Sequence, residues 1–178
     1  MEEDLHLMRK FKDGNLESFE KIVIKYRKSA VAFSQSYVHD YYIAEDIVQE
    51  SFGYIYVYKE KYNEKYKFKT YLFTIIRNKS IDYIRKKSTV PLTEIHNDIS
   101  KDDTVESILN KEKRKMLKDK IHELKDEYRN VIYLIDFEGF SYKEAAEIMG
   151  KNLMQIKILI YRARKKLRVS IEKERCGY

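Results

Sequence analysis

The side chains with the clearest chemical use lie near the C-terminal end, on a stretch with helical periodicity. Amide and cationic groups hydrogen-bond base edges, and apolar side chains contact thymine methyl groups. Gln155 therefore suits an adenine edge, Lys157 a guanine and Ile158 a thymine methyl, while Lys165, further along, suits the phosphate backbone. The full set, called here the recognition face, is Gln155, Lys157, Ile158, Tyr161, Arg162 and Lys165. Such a face predicts a helix that reads duplex DNA in the major groove.

Two consecutive helices must position this face, and the sequence signals both. Ser141 followed three residues later by Glu144 is a capping box, which predicts that a helix begins at the next position. Ala146 is small enough for two helices to cross, and Gly150 permits a positive φ at the turn. The second helix would be seated by an apolar stripe made of Ile156, Ile160, Ala163 and Leu167. The stretch 141–167 is thus predicted to be a helix-turn-helix.

Two other interpretations of the basic helix remain open from its composition. It could belong to a bundle with its charged side in solvent, or it could lie on an anionic membrane surface. Neither explains the turn and capping signals that precede it, so the helix-turn-helix is favoured.

A second basic region, residues 59–87, is dense in aromatic rings. Cations interleaved with rings suit single-stranded nucleic acid, because phosphates meet the cations while unpaired bases stack on the rings. Many of these rings could equally be core residues. Tyr71 and Phe73 lie in an apolar helical stretch that favours packing, although Tyr71 remains a candidate for DNA contact. The rings in the charged loop, Tyr62, Tyr66 and Phe68, are expected to contact bases.

Asn78 lies at the centre of that region and carries both hydrogen-bond donors and an acceptor. Such an amide can read the edge of an unpaired base, although it could also tie helix ends together. Cationic side chains around it suit phosphates. With Asn78 they form what we call the basic face: Arg77, Asn78, Lys79, Arg85 and Lys86.

An acidic surface is predicted in the same half of the chain. Four residues fall on one side of a predicted helix, while Ala44, Ile47, Val48 and Ile55 point elsewhere. This acidic face consists of Asp46, Gln49, Glu50 and Gly53. In a basic protein it suits a cationic protein partner better than phosphate, although an ordinary solvated helix face is the alternative.

Composition supports an all-α nucleic-acid-binding protein. The 178 residues carry 36 Lys and Arg against 29 Asp and Glu, for a net charge of +7, with one proline and five glycines. The single cysteine, Cys176, excludes an internal disulfide, and no apolar run approaches the roughly 18 residues that span a bilayer. We therefore expect a cytoplasmic protein without membrane insertion. Scattered His residues and the lack of a nucleophile–base pair predict no metal, no cofactor and no enzymatic activity.

The chain is predicted to contain two helical domains, residues 1–87 and 108–178. The linker between them, residues 88–107, contains the only proline and many Ser, Thr, Asn and Asp residues. It is acidic, whereas each domain carries a basic surface. Two basic surfaces on a tether predict two contacts with one extended polyanion.

Three blocks together resemble the extracytoplasmic-function (ECF) type of bacterial sigma factor, the promoter-recognition subunit of RNA polymerase. They are AEDIVQESF at 44–52, FKTYLFTIIRNKSIDYIRKK at 68–87, and the stretch from Leu124 through YRNVIYLIDFEGFSYKEAAEIMG to RARKKL at 162–167. The resemblance implies that the first domain, region 2, binds polymerase and melts the minus-ten element. It implies that the second, region 4, reads the minus-thirty-five element.

The resemblance also implies partners and residue roles. The acidic face would bind the coiled coil of the largest core polymerase subunit, and region 4 would bind the flap of the second-largest subunit. Asn78, with the loop 62–69 before its helix, would hold a flipped minus-ten base, and promoter DNA would be bound both as duplex and as single strand. Control by an anti-sigma factor is frequent among similar proteins.

This chain departs from the common family pattern at two places. Tyr71 stands where tryptophan is frequent, and Met154, Gln155 and Ile156 replace a common Gly-Thr-Val turn, so its base readers differ. An alternative function is a free-standing operator-binding regulator whose N-terminal domain dimerises or senses a ligand. A dimeric regulator would protect a palindromic site, whereas a sigma factor would not.

Overall fold

The protein is all-α, as predicted. The computed structural model describes residues 2–87 and 108–175, with side chains described except at 108–114 and 174–175, and these residues contain no strand. A 3₁₀ turn (Lys59–Lys61) follows the third helix, and a π-helical turn (Tyr133–Phe137) extends the sixth. The helices are α1 (Glu2–Lys12), α2 (Leu16–Val38), α3 (Tyr41–Val57), α4 (Phe68–Lys87), α5 (Ile108–His122), α6 (Asp126–Ile132), α7 (Tyr142–Met149) and α8 (Leu153–Arg175).

The chain divides into two compact units, with the main boundary between Asp98 and Ile99. Helices α1 to α4 belong to the first unit, and α5, α6 and α8 belong to the second. The predicted linker, residues 88–107, lies outside the described residues.

The first unit is a helical bundle in which α2, α3 and α4 pack on one another and α1 packs on α2. Local signals set the ends of these helices. Asn15 Oδ1 accepts the Ser18 N–H at 2.9 Å to start α2, and Asp40 Oδ1 accepts the Ile43 N–H at 3.0 Å to start α3. His39, with φ of 59°, ends α2 in the left-handed conformation. The bundle encloses a core that includes Ile22, Phe33, Ile55, Leu72, Phe73 and Ile76.

Helix α1 is held to α2 by a buried carboxylate. Asp4 Oδ2 accepts the Tyr26 hydroxyl at 2.6 Å, and Asp4 Oδ1 pairs with Lys25 Nζ at 2.7 Å. Hydrogen bonds to Asp4 and then Glu3 raise the pKa of Lys25 above its ordinary value. A buried charge is tolerated only when it is paired and hydrogen-bonded, so these contacts fix where α1 can dock.

The loop between α3 and α4 is fastened to the C-terminal end of α1. Lys59 Nζ donates to the carbonyl oxygens of Phe11 and Lys12, at 3.2 and 2.9 Å, which helps to satisfy the last carbonyls of the helix. In the reverse direction, Lys12 Nζ donates to the Tyr62 carbonyl at 3.0 Å. Arg9 pairs with Glu64 at 2.8 Å. These contacts, called here the α1 clasp, hold the loop near its middle.

In the second unit, α6 packs along α8, and α5 also contacts α8. The buried Arg129 of α6 donates to the carbonyl oxygens of His122 and Leu124, at 2.9 and 2.8 Å, and so satisfies acceptors at the end of α5. Burial lowers the pKa of this guanidinium, while Asp126 partly opposes that effect. Gly139, which follows the π-helical turn, has a positive φ of 69° and ends this helical segment.

Candidate DNA and protein interfaces

The predicted helix-turn-helix is present in the second half of the chain. The Ser141 N–H donates to Glu144 Oε2 at 2.8 Å, and the Glu144 N–H donates back to Ser141 Oγ at 3.3 Å, so the capping box forms as expected. Helix α7 begins at Tyr142. Gly150 has φ of 61°, and the Lys151 N–H donates to the Ala146 carbonyl at 2.9 Å across the turn.

A second capping box, not expected from the sequence, starts α8. The Gln155 N–H donates to Asn152 Oδ1 at 2.8 Å, and the Asn152 N–H donates to Gln155 Oε1 at 2.8 Å. The Gln155 side chain is therefore folded back along the first turn. The same amide that was predicted to read a base also holds the helix start.

The inward stripe of α8 is confirmed. Ile156, Ile160 and Ala163 are buried, and Leu167 is half-buried. All six residues of the recognition face are exposed, which is the condition for DNA contact. The structure adds Met154 to this surface, since its side chain is 64% exposed beside Gln155.

Arg164, by contrast, is engaged within the second unit. Its Nε donates to Asp136 Oδ2 at 3.2 Å, and this pairing with Asp136 raises the pKa of the guanidinium. Arg164 therefore helps to attach α8 to the segment that follows α6.

Two of the three loop rings predicted to contact bases are instead core residues. Tyr62 is 3% exposed and Phe68 is 1% exposed, with their rings packed edge to face at 5.6 Å. The expectation that these rings are available to bases is therefore wrong in this fold. Burial of a large ring contributes favourable free energy, so a charged neighbourhood in the sequence did not keep these rings at the surface.

Contacts around Tyr62 reinforce this correction. Its hydroxyl donates to the Tyr66 carbonyl at 2.8 Å, its ring lies 5.3 Å from that of the half-buried Tyr71, and burial raises the pKa of Tyr62 to about 12. Tyr66 is 52% exposed and is the one ring of the predicted three that can stack on a base.

The basic face forms on the C-terminal half of α4. Asn78 is exposed, and its Oδ1 accepts a hydrogen bond from Arg77 Nη1 at 3.0 Å. The described contacts do not show Asn78 tying two helix ends together. Arg85 and Lys86 are exposed, while Lys79 is half-buried. The four cations and the amide thus share one helix, as predicted.

The acidic face lies on the surface of α3. Asp46, Gln49, Glu50 and Gly53 are all exposed, whereas Ala44, Ile47, Val48 and Ile55 are buried. A Cβ added at Gly53 would meet no atom within 4 Å, so glycine leaves this part of the face without a side chain where a partner could approach. Glu50 Oε2 pairs with Lys79 Nζ at 3.1 Å, so the acidic and basic faces meet along one edge.

The described residues hold no group of three or more His, Cys, Asp or Glu side chains placed to bind a metal ion. Within residues 2–87 and 108–175, no helix combines the length and apolar character needed to cross a membrane.

Comparisons with known proteins show the family to which the chain belongs. The family model for sigma-70 region 2 matches residues 22–90, and that for sigma-70 region 4 matches residues 114–167. The ECF RNA polymerase sigma factor SigM of Bacillus subtilis is 31% identical over 153 residues, covering 85% of this chain and 93% of the relative. The ECF RNA polymerase sigma factor SigW of the same organism is 30% identical over 173 residues, covering 90% and 92%.

A solved structure shows the same architecture. The sigma factor RpoE from Bartonella quintana, in complex with the anti-sigma factor NepR, gives a TM-score of 0.71 at 25% identity and covers 88% of this chain and 98% of that chain. A free-standing operator-binding regulator would not be expected to match region 2. The chain belongs to the sigma-70 family as an ECF sigma factor, which binds core RNA polymerase and directs promoter-specific transcription initiation.

Proposed function

We propose that this sigma factor binds its partners through three exposed surfaces. The acidic face binds polymerase, and the basic face and the recognition face bind promoter DNA. The observation that carries the proposal is the juxtaposition of opposite charges on one small unit. An acidic face on α3 meets a basic face on α4 at the Glu50–Lys79 pair. A surface for phosphates and a surface for a cationic protein can thus lie side by side without competing for one partner.

The acidic face docks on the coiled coil of the largest polymerase subunit. Asp46 supports this role because it is exposed and its carboxylate makes no hydrogen bond or ion pair within the described residues, so its charge is available to a cation. Gln49 and Glu50 extend the polar surface, and Gly53 lets the partner backbone come close. The second unit binds the flap of the second-largest subunit.

The basic face and its preceding loop bind the minus-ten element as it opens. Asn78 reads an unpaired base, and the exposed Tyr66 ring and the half-buried Tyr71 ring line the approach to it. Phosphates of the single strand lie against Arg77, Lys79, Arg85 and Lys86. Tyr62 and Phe68 support this surface from the core rather than touching DNA.

The recognition face reads the minus-thirty-five element as duplex. The buried stripe of α8 packs the helix against the second unit, so the side chains of the recognition face point into solvent. Residues near the N-terminal end of α8 contact base edges, whereas Lys165, two to three turns further on, contacts the backbone. The chain thus acts in the cytoplasm by binding rather than by catalysis.

An anti-sigma protein is a further candidate partner, because the similar RpoE structure was solved with the anti-sigma factor NepR. Purified core polymerase and this chain, mixed with a library of promoter fragments, provide the test of the whole proposal. We expect transcription from fragments that share two separated motifs without two-fold symmetry. Binding of the chain alone to a palindrome, with no effect on transcription by core polymerase, would refute it.

A further inference from the structure

The first turn of α8 places one hydrogen-bond donor beside two exposed apolar side chains. The Asn152 N–H is held by Gln155 Oε1 at 2.8 Å. Because a backbone N–H requires an acceptor, this bond fixes which end of the amide faces the helix. The other end, Nε2, carries two N–H groups and makes no hydrogen bond within the described residues. The Gln155 side chain can therefore act as a hydrogen-bond donor to DNA through Nε2.

The neighbours of this donor are apolar. Ile158 lies three residues after Gln155, and Met154 lies four residues before Ile158, so the three side chains are adjacent on the helix surface. Ile158 is 44% exposed and Met154 is 64% exposed. A donor and an apolar surface thus stand together at the helix end that enters a groove first.

The four bases differ in what they offer to such a pair. In the major groove, cytosine presents a donor, guanine two acceptors, and adenine an acceptor beside a donor. Thymine alone presents an acceptor, O4, next to an apolar methyl group. An adenine pairing would need Gln155 Oε1 to accept from the base, but that oxygen faces the helix, where it accepts the Asn152 N–H, and adenine offers no methyl group to the apolar pair.

The geometry points to a thymine-reading site formed by Gln155, Met154 and Ile158, in which Gln155 Nε2 donates to thymine O4 and the apolar side chains contact its methyl. This inference rests on the proposed function, since it requires α8 to lie in the major groove of the minus-thirty-five element. It replaces the adenine contact expected from the sequence. A protein segment that covers the apolar pair, or a phosphate bound by Nε2, would give other results in the test.

The experiment uses holoenzyme assembled from core polymerase and the full chain. Binding to every single-base variant of the minus-thirty-five element is measured for the wild type and for Gln155→Ala. The position at which Gln155→Ala relaxes preference is the contact of Gln155, and we expect thymine there in the best wild-type sequence. A preference for guanine, adenine or cytosine at that position overturns the inference.

Base analogues then separate the two halves of the site. Deoxyuridine keeps O4 and removes only the methyl, so wild-type binding should weaken about fourfold, the effect of one buried methyl group. 5-Methylcytosine keeps the methyl but replaces O4 with a donor, so wild-type binding should weaken about tenfold or more. Equal binding to thymine and deoxyuridine would show that the methyl group makes no apolar contact, which overturns the inference.

Gln155→Glu is the matched variant because it preserves the cap. One carboxylate oxygen can still accept the Asn152 N–H, while the other replaces a donor with an acceptor. We expect the preference to move from thymine to cytosine, whose N4 donates, and 5-methylcytosine to bind better than cytosine. Uniformly weaker binding to all bases would mean that Gln155 contacts phosphate, which overturns the inference.

Two controls keep this inference separate from the proposed function. Thermal unfolding of the Gln155→Glu chain should match the wild type, because the capping box is retained. If wild-type holoenzyme discriminates among minus-thirty-five sequences but Gln155→Glu does not alter the preference, the thymine site is wrong and the general role of α8 stands. If wild-type holoenzyme shows no minus-thirty-five preference at all, the proposed function of α8 fails as well.

Discussion

Reversing the charge of Asp46 tests the acidic face most directly. In Asp46→Arg, an exposed carboxylate with no partner among the described residues becomes a guanidinium on the surface of α3. Because no internal contact is lost, the free energy of unfolding should change by no more than about 0.5 kcal/mol. An effect on polymerase binding would therefore reflect the interface and not the fold.

The expected loss of affinity follows from the charge of the partner surface. If Asp46 faces a cation, reversal replaces an attraction with a repulsion, and like charges at an interface cost several kcal/mol. A cost of about 3 kcal/mol corresponds to a Kd more than about 100-fold higher. Because the added charge is fully exposed before docking, raising the ionic strength should recover part of this loss.

The assay is titration of core polymerase into a fluorescently labelled chain, read by anisotropy at two salt concentrations. Glu20→Arg is the matched control, since Glu20 is an exposed acid on α2 and its reversal gives the same change in net charge. Wild-type affinity is expected for the control. If Asp46→Arg also binds core polymerase within threefold of the wild type, the docking role of the acidic face is wrong.

Three further predictions concern the other surfaces and the fold. Asn78→Ala should leave holoenzyme assembly and duplex binding intact but reduce permanganate reactivity at the minus-ten element or change its base preference; unchanged opening and preference would contradict it. Lys157→Ala should cost about 1–3 kcal/mol on the preferred minus-thirty-five sequence and relax one position, whereas Lys165→Ala should weaken all sequences alike and lower the salt slope by about one; identical profiles for the two variants would contradict it. Arg129→Met should destabilise the packing of α5 by about 1–3 kcal/mol, because the carbonyls of His122 and Leu124 lose their donor, and unchanged amide hydrogen exchange in α5 would refute this.

The helices and the helix-turn-helix could be predicted because their signals are local. A Ser141 hydroxyl and a Glu144 carboxylate meet within one turn, and Gly150 supplies its own left-handed conformation. The stripe of α8 depends only on spacing, so it too could be read from the sequence. The same locality explains why the exposed and buried sides of α3 could be predicted from the sequence.

The sequence was misleading in two situations. In one, a side chain had two possible roles; in the other, burial of a side chain depended on a segment far away in sequence. The spacing of Asn152 and Gln155 fits a capping box, yet an amide can serve either a cap or a base, and the sequence does not say which of its ends is occupied. Tyr62 and Phe68 lie in a charged stretch, but their burial depends on α1 and α2, which are far away in sequence. Periodicity carries no information about such partners.

The α1 clasp has a consequence for the order in which the protein is made. The contacts of α1 with the loop join residues 47 to 55 positions apart, whereas those of Asp4 with α2 span 21 to 22. On a ribosome that adds about 5–20 residues per second, α1 would meet α2 early and would wait roughly another 2–8 s for Lys59 and Glu64 to follow. The first helix synthesised is therefore among the last to be fully fastened, and a nascent chain stalled before Lys59 would expose the carbonyl end of α1.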